Sequence, residues 1–365
     1  MIKKFLILLI IIFITFPLAG CWDITEIERT QFPTYITIDK AKNDNQAPYL
    51  FSIQFPILRP KASKKVNNLS VPAYSMGNAI NELQGRSMGL LSLGMLRTVI
   101  FSKKVAKKGL LPHIDSIWRN PIVPGSVLFA IVQNRAEKIE KVNVPTTKNL
   151  GNYIDLLFKT TSRNALLPER NLVNFFSNLK TQGIEPSIPL IKYGKTDIKI
   201  IGTALFRKDK MVGKLQVPET RALSLLTEKF TKGEIPLKVN DHMVTYYIQQ
   251  VNSNIEPNYH NNRFIFDINL ELDVDVVEDT SSKQLIDNKK ALANMENYLE
   301  VAIKKEIGIL FNKLQKHKSD VIGIGRKVKI KTPKKFNEDE WPQDFQNAET
   351  KIKVIVNIRR FGIST

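Results

Sequence analysis

The chain contains one thiol, Cys21, and its neighbours give that thiol a specific chemistry. Leu18-Ala19-Gly20 stands directly before it, a run of small residues at which a signal peptidase cuts. A cysteine just beyond such a cut is the group that bacterial lipoprotein processing alkylates. A diacylglycerol thioether forms on the sulfur, the chain is cleaved, and Cys21 becomes the new amino terminus, whose amino group is then open to a further acyl chain such as palmitate. Two acyl chains hold a protein at a membrane where one binds only marginally. With a single cysteine, no disulfide framework is available.

The other residues that do chemistry are scattered. His113, His242, His260 and His317 show no metal-ligand spacing and read as surface or loop residues. No Gly-x-Ser-x-Gly nucleophile motif occurs. Gly323-Ile324-Gly325 lacks the third glycine of a dinucleotide loop, and Val328-Lys329-Ile330 after it reads as a strand, so a turn is expected there. Asp267, Glu271, Asp273 and Asp275 alternate along one extended segment. Carboxylates at that spacing point outward together without wrapping a hard cation, so the reading is a solvated face. The expectation is therefore no catalytic residue, no metal and no cofactor, with Cys21 as the one residue of defined chemical role.

The elements that carry these residues follow a signal segment over 1–20. Lys3 and Lys4 precede an apolar run from Phe5 to Phe16 that is shorter than the roughly 20 residues of a spanning helix. Beyond Cys21 the period-2 pattern predicts strands at Tyr35–Asp39 and Tyr49–Phe55, then a polar loop over Lys61–Leu69 and a helix from a Ser75 cap to Leu83. A strand at Arg97–Phe101 precedes helical pieces at Lys103–Gly109 and His113–Arg119, and another strand follows at Val127–Gln133. Helices are then expected at Leu150–Leu157 and Asn171–Lys180. Gln182–Pro189 reads as irregular, and a domain edge belongs close to it.

The second half opens on a hairpin, Thr203–Phe206 and Met211–Leu215 around Arg207–Lys210, followed by a helix over Glu219–Phe230 and a strand over Met243–Val251. Phe264–Val276 alternates apolar and polar residues throughout, which predicts one buried and one wet face. A long helix spans about Leu285–Lys316, and Lys351–Ile358 closes the chain on a strand. Strands, one long helix and a last strand point to an antiparallel α+β domain. The division read from the sequence is 1–20 signal, 21–195 an N-terminal α/β region of one or two domains, and 196–365 a C-terminal α+β domain. The fold class is α+β: a multi-domain ectodomain of mixed and antiparallel sheets covered by helices.

The formal charge of +19 is unevenly placed. Residues 22–196 carry 24 Lys+Arg against 12 Asp+Glu, and residues 197–365 carry 28 against 23. For an exported, tethered body, that excess suits anionic headgroups or an acidic partner rather than nucleic acid, and it suits a plain solvated lysine-rich surface equally well.

Several segments together resemble the Ger(x)C family, the lipoprotein C subunits of spore germinant receptors. They are Gly20-Cys21-Trp22-Asp23 with Glu26-Ile27, Leu83-Gln84-Gly85-Arg86, and Leu93-Gly94-Met95-Leu96-Arg97. Gly202–Leu215 with Glu219-Thr220, and Trp341–Phe345 with the strand ending at Phe361-Gly362, continue the likeness. Thr203-Ala204-Leu205 departs from it, where the family would have a more valine-rich strand.

The resemblance implies a non-enzymatic subunit working with an A subunit and a polytopic, transporter-like B subunit at the spore inner membrane. It further implies three α+β domains and lipid anchoring on the outer face of that membrane. Whether this subunit contacts the nutrient is left open. Two rivals remain: a lipoprotein solute-binding protein of a transporter, which would show alternating strands and helices in two similar lobes, and a wall hydrolase, which would need a placed carboxylate pair.

Overall fold

The computed structural model describes residues 29–42, 47–56, 66–144, 149–163, 171–228, 232–281 and 289–361, together with Lys3 and Leu167. The signal segment and Cys21 lie outside the described residues, as do Phe230 and the start of the expected long helix.

The first region begins with the short strand β1 (Thr30–Gln31), then β2 (Tyr35–Lys40), β3 (Tyr49–Pro56) and β4 (Val66–Ala73). Helix α1 (Met76–Gln84) is capped by the Ser75 hydroxyl, which accepts the Asn78 N–H at 3.2 Å. After β5 (Leu90–Leu91) come β6 (Thr98–Ser102), α2 (Lys103–Lys108), α3 (Leu111–Trp118), β7 (Leu128–Val132), α4 (Leu150–Arg163) and α5 (Leu172–Lys180). An Asn171–Asn174 capping box starts α5. Strands β8 (Ser187–Tyr193), β9 (Ile198–Arg207) and β10 (Lys210–Leu215) complete the sheet.

Eight strands lie in the order β10-β9-β8-β7-β6-β2-β3-β4. β2, β6, β7 and β8 run parallel, while the strands toward both edges are antiparallel. Helices cover both faces. Val99 and Phe101 of β6 face one core with α1, α2, α3 and α5, and Ile100 faces a second core with α4. This explains why β6 and β7 are buried at every position and show no alternation.

The second region holds α6 (Val217–Thr227), β11 (Gly233–Val239), β12 (His242–His260), β13 (Arg263–Asp279), α7 (Lys289–His317), α8 (Ile324–Lys331), α9 (Trp341–Asn347) and β14 (Glu349–Phe361). Its sheet order is β11-β12-β13-β14. Met295, Leu299, Ile303, Ile307, Leu310, Phe311 and Leu314 pack α7 against the buried, alternating side of β13. The exposed edge of β14 is managed by α7 itself: Glu300 accepts the Val356 N–H at 3.0 Å and Glu296 the Ile358 N–H at 2.9 Å.

Several expectations are corrected. The loop expected over Lys61–Leu69 gives way, from Val66, to β4, an edge strand whose Val71 and Ala73 face the core while Asn68 and Ser70 pair with Gln54 and Ser52 on β3. The irregular segment expected to Pro189 ends earlier, because β8 begins at Ser187. Pro189 is tolerated there because the β7 ladder is formed only from Leu190 onward. The last strand is parallel to β13, not antiparallel, because α7 carries the chain back along the sheet before β14 enters. Val328-Lys329-Ile330 is helical, within α8. His113 is a core residue, 2% exposed, edge-on to Tyr49 with ring centroids 4.5 Å apart. The hairpin expected to open the second half is part of the first sheet, where β9 pairs with β8 across 195/196.

Candidate functional site

Where the two regions meet, a cleft of about 290 Å³ is lined from both sides. The first region supplies the segment between α5 and β8 and the β9–β10 turn; the second supplies the segment after α7 and the start of α9. At its centre is Asp320, 2% exposed. One carboxylate oxygen accepts the N–H groups of Gly323 at 2.8 Å and Ile324 at 3.1 Å. The other accepts the Gly325 N–H at 2.8 Å and the Trp341 indole N–H at 3.1 Å. Ile324 and Gly325 open α8, where N–H groups have no partner within the helix, so the carboxylate places a negative charge at the positive end of that helix. The Gly-Ile-Gly sequence is therefore an anion-binding turn whose anion is built into the chain. Burial still pushes the Asp320 carboxyl up to about 6, against these four hydrogen bonds.

Glycine is required here by close approach. Gly183 has φ +75°, and a Cβ on it would lie 2.4 Å from the Arg326 nitrogen; a Cβ on Gly325 would lie 2.5 Å from the Trp341 ring. The backbones interlock accordingly. Arg326 N–H donates to the Gly183 carbonyl at 2.9 Å, and Glu185 N–H to the Asp320 carbonyl at 2.8 Å. Ser319, fully buried, donates its hydroxyl to the Phe206 carbonyl at 2.6 Å, tying the end of α7 to β9.

Glu185 lines the same cleft. Its carboxylate accepts the Lys208 N–H at 2.6 Å in the β9–β10 turn, where Lys208 adopts φ +53°. Burial, with Asp320 adding repulsion, pushes Glu185 up to about 7, against the Lys208 N–H and the charges of Arg207 and Lys208. Two carboxyls that titrate near neutral thus sit at the contact between the regions. Both accept hydrogen bonds from backbone donors, an arrangement that fixes geometry and makes it sensitive to protonation.

Of the residues singled out in the sequence, the structure brings few together. Cys21 lies outside the described residues. His317 packs its ring against Gly213, where a Cβ would meet it at 2.5 Å, and burial with Lys316 and Lys313 lowers its basicity. His242 stands 3.7 Å from Asp279, and His260 is exposed. In the core, burial lowers His113 to about 4, which keeps it neutral. The acidic row is paired sideways: Asp267 with Asn258 at 2.6 Å, Glu271 and Asp273 with Asn357 at 3.1 and 3.0 Å, and Asp275 with Gln249 at 2.6 Å. Among the described residues no group of three or more His, Cys, Asp and Glu is placed to hold a metal ion. Sequence reasoning missed Asp320 and Glu185. The signal available was an acid three residues before Gly-Ile-Gly, the pattern of a carboxylate capping a helix from the preceding turn.

Two family models match the chain in order, and the boundary between them falls within the first sheet, between the end of β8 and β9. The model described as "Spore germination protein N-terminal domain" matches residues 23–193, and that described as "Spore germination B3/ GerAC like, C-terminal" matches 201–362. Spore germination protein GerQC of Bacillus cereus is 26% identical, over 76% of this chain and 78% of its own length. Spore germination protein B3 of Bacillus subtilis (strain 168) is 23% identical over 97% of both chains. The crystal structure of the GerBC protein shares the fold at a TM-score of 0.57, covering 88% of this chain and 96% of that one at 17% identity. No helix among the described residues is long and apolar enough to cross a membrane. With both family models matched in order and the fold shared, the chain belongs to the Ger(x)C family of spore germination proteins.

Proposed function

We propose that this protein is a non-enzymatic, membrane-anchored lipoprotein subunit of a nutrient germinant receptor, exported and held on the outer face of the spore inner membrane, where it assembles with A and B receptor subunits. The observation that carries this reading is the Leu-Ala-Gly-Cys21 acceptor directly before a body that belongs to the family along both halves. On this reading 1–20 is removed and Cys21 carries the S-diacylglycerol group.

A lipid tether confines the body to a thin layer at the membrane, so weak contacts with membrane partners are multiplied by effective concentration. The charged residues of the cleft and of the α6–α7 contact are engaged within the chain. Arg221 clasps Glu306, Glu219 holds Lys313 at 2.5 Å, and Asp320 and Glu185 are engaged by backbone donors.

The test is a membrane pull-down from dormant spores with the tagged chain and Cys21→Ala in parallel. Recovery of an A-type subunit and a polytopic, transporter-like protein, reduced in the variant, is the expected result. Recovery of an ABC permease instead, or normal localisation and germination with Cys21→Ala, overturns the reading.

A further inference from the structure

A second cavity, of about 640 Å³, opens where β2, β6 and β7 end. These strands run parallel, so Asp39, Ser102 and Gln133 come together at one end of the sheet, and β8 adds Tyr193. Open α/β sheets bind their ligands outside the carboxyl ends of parallel strands, where the crossover segments bring side chains together.

The floor of this cavity is a fixed network. Asp39, 2% exposed, accepts the Glu137 N–H at 2.7 Å. Glu137 in turn holds Arg135 through two bonds of 2.8 Å, and the Arg135 carbonyl accepts the Tyr193 hydroxyl at 3.1 Å. The segment after β7 is thereby fastened to both β2 and β8. Ser102 is buried beside Asp39, and its hydroxyl favours the charged form of that carboxylate.

The walls are cationic. Among the described residues, Lys40, Lys42, Lys104, Lys138 and Arg135 line the cavity with the carboxylate of Asp39, and Glu137 is bound to Arg135. A concave site lined by one sign of charge focuses the field and concentrates counter-ions. Among the described lining residues the Arg135 guanidinium is held by Glu137, which removes the planar fork that favours carboxylates; Lys104 and Lys138 are exposed point charges with rotatable donors that suit a phosphate.

We propose that this cavity binds a phosphomonoester dianion, with Lys104 and Lys138 contacting its oxygens. The site is built entirely from described residues of the first sheet, and it stands or falls independently of the receptor reading and of the lipid on Cys21.

The experiment uses the full chain in nonionic detergent, titrated with glycerol 3-phosphate and followed by calorimetry, with sodium chloride at matched ionic strength as control. Saturable binding that weakens about tenfold in each of Lys104→Gln and Lys138→Gln is expected, the loss of one charge-assisted contact apiece. Both lysines are exposed, so these variants keep the fold. Repeating the titration in vesicles of neutral lipid and of phosphatidic acid separates two sources of the group. Loss of glycerol 3-phosphate binding only on phosphatidic acid assigns the site to a lipid headgroup, and its survival on both assigns it to a soluble ligand. No heat beyond the chloride control, or affinity unchanged from the parent chain in both variants, overturns the proposal.

Discussion

The two sheets of this protein solve burial differently. The first, with eight strands, is covered on both faces, so neighbouring residues of one strand, Val99 and Ile100 in β6, enter separate cores and are both fully buried. The second, with four strands, is covered on one face by α7, and neighbouring residues of β13, Glu271 and Leu272, divide between water and core. A strand between two layers loses its period; a strand with one wet face keeps it. The contrast also separates where chemistry can sit. The layered sheet has crossover segments that converge at strand ends, whereas the open face of the second sheet carries cross-strand polar pairs.

The sharpest way to break this comparison is to shorten side chains pairwise. Ile100→Ala and Leu272→Ala are each expected to cost about 2–5 kcal/mol, the range for a large aliphatic residue lost from a packed core. Val99→Ala should also be strongly destabilising, because its side of β6 is a core too. Glu271→Ala should stay within about 0.5 kcal/mol. Urea titration followed by circular dichroism measures all four. A cheap Val99→Ala would show that the two-sided cover is looser than its burial indicates.

Next in size is the contact that joins the regions. Asp320→Ala strands three backbone N–H groups and an indole N–H in a buried site, and about 3 kcal/mol or more of stability should be lost. Limited proteolysis should then cut near the junction while leaving both sheets intact, if the regions hold their cores separately. Simultaneous loss of both would mean that Leu205 and Leu215, which β9 and β10 contribute to the second core, bind the regions into one cooperative unit. Gly183→Ala tests the same contact by sterics alone, since φ +75° and the 2.4 Å approach leave no room for a Cβ; its effect should be smaller where the loop can shift.

The smallest effect is a pH dependence. Glu185 has a folded-state pKa raised to about 7 from an ordinary 4.5, so the folded state binds its proton more tightly than the unfolded chain does. Its contribution is fully present below about pH 4.5 and declines as pH rises toward 7. Lys208, Arg207 and Asp320 are the charges that influence it. Glu185→Gln removes this titration, so the variant should gain in thermal midpoint relative to the parent chain as pH is raised from 4.5 to 7. A difference independent of pH would place the titration elsewhere.

Much of the second region was legible because its pattern is local. The alternation of Phe264–Val276 is the buried and wet sides of β13, and the apolar stripe of α7 is its contact with that sheet. Ser75 caps a helix as read. In the first region, type and order of most elements were readable, yet β4 was hidden by its polar edge-strand residues, and His113 looked like a surface residue until three aromatic rings enclosed it.

What the amino-acid sequence determined by itself was the one-sided strand, the long helix and the Ser75 cap, since each is specified by residues within a few positions of one another. Tertiary structure alone decided that the 198–215 hairpin completes the first sheet, that β14 lies parallel to β13, and that Asp320 closes the turn before α8 beneath Trp341. Periodicity tells which side of a segment turns inward and is silent about which segment it will meet. Strand partners and the burial of a lone carboxylate depend on residues far apart in the chain, and so are fixed only when the layers pack.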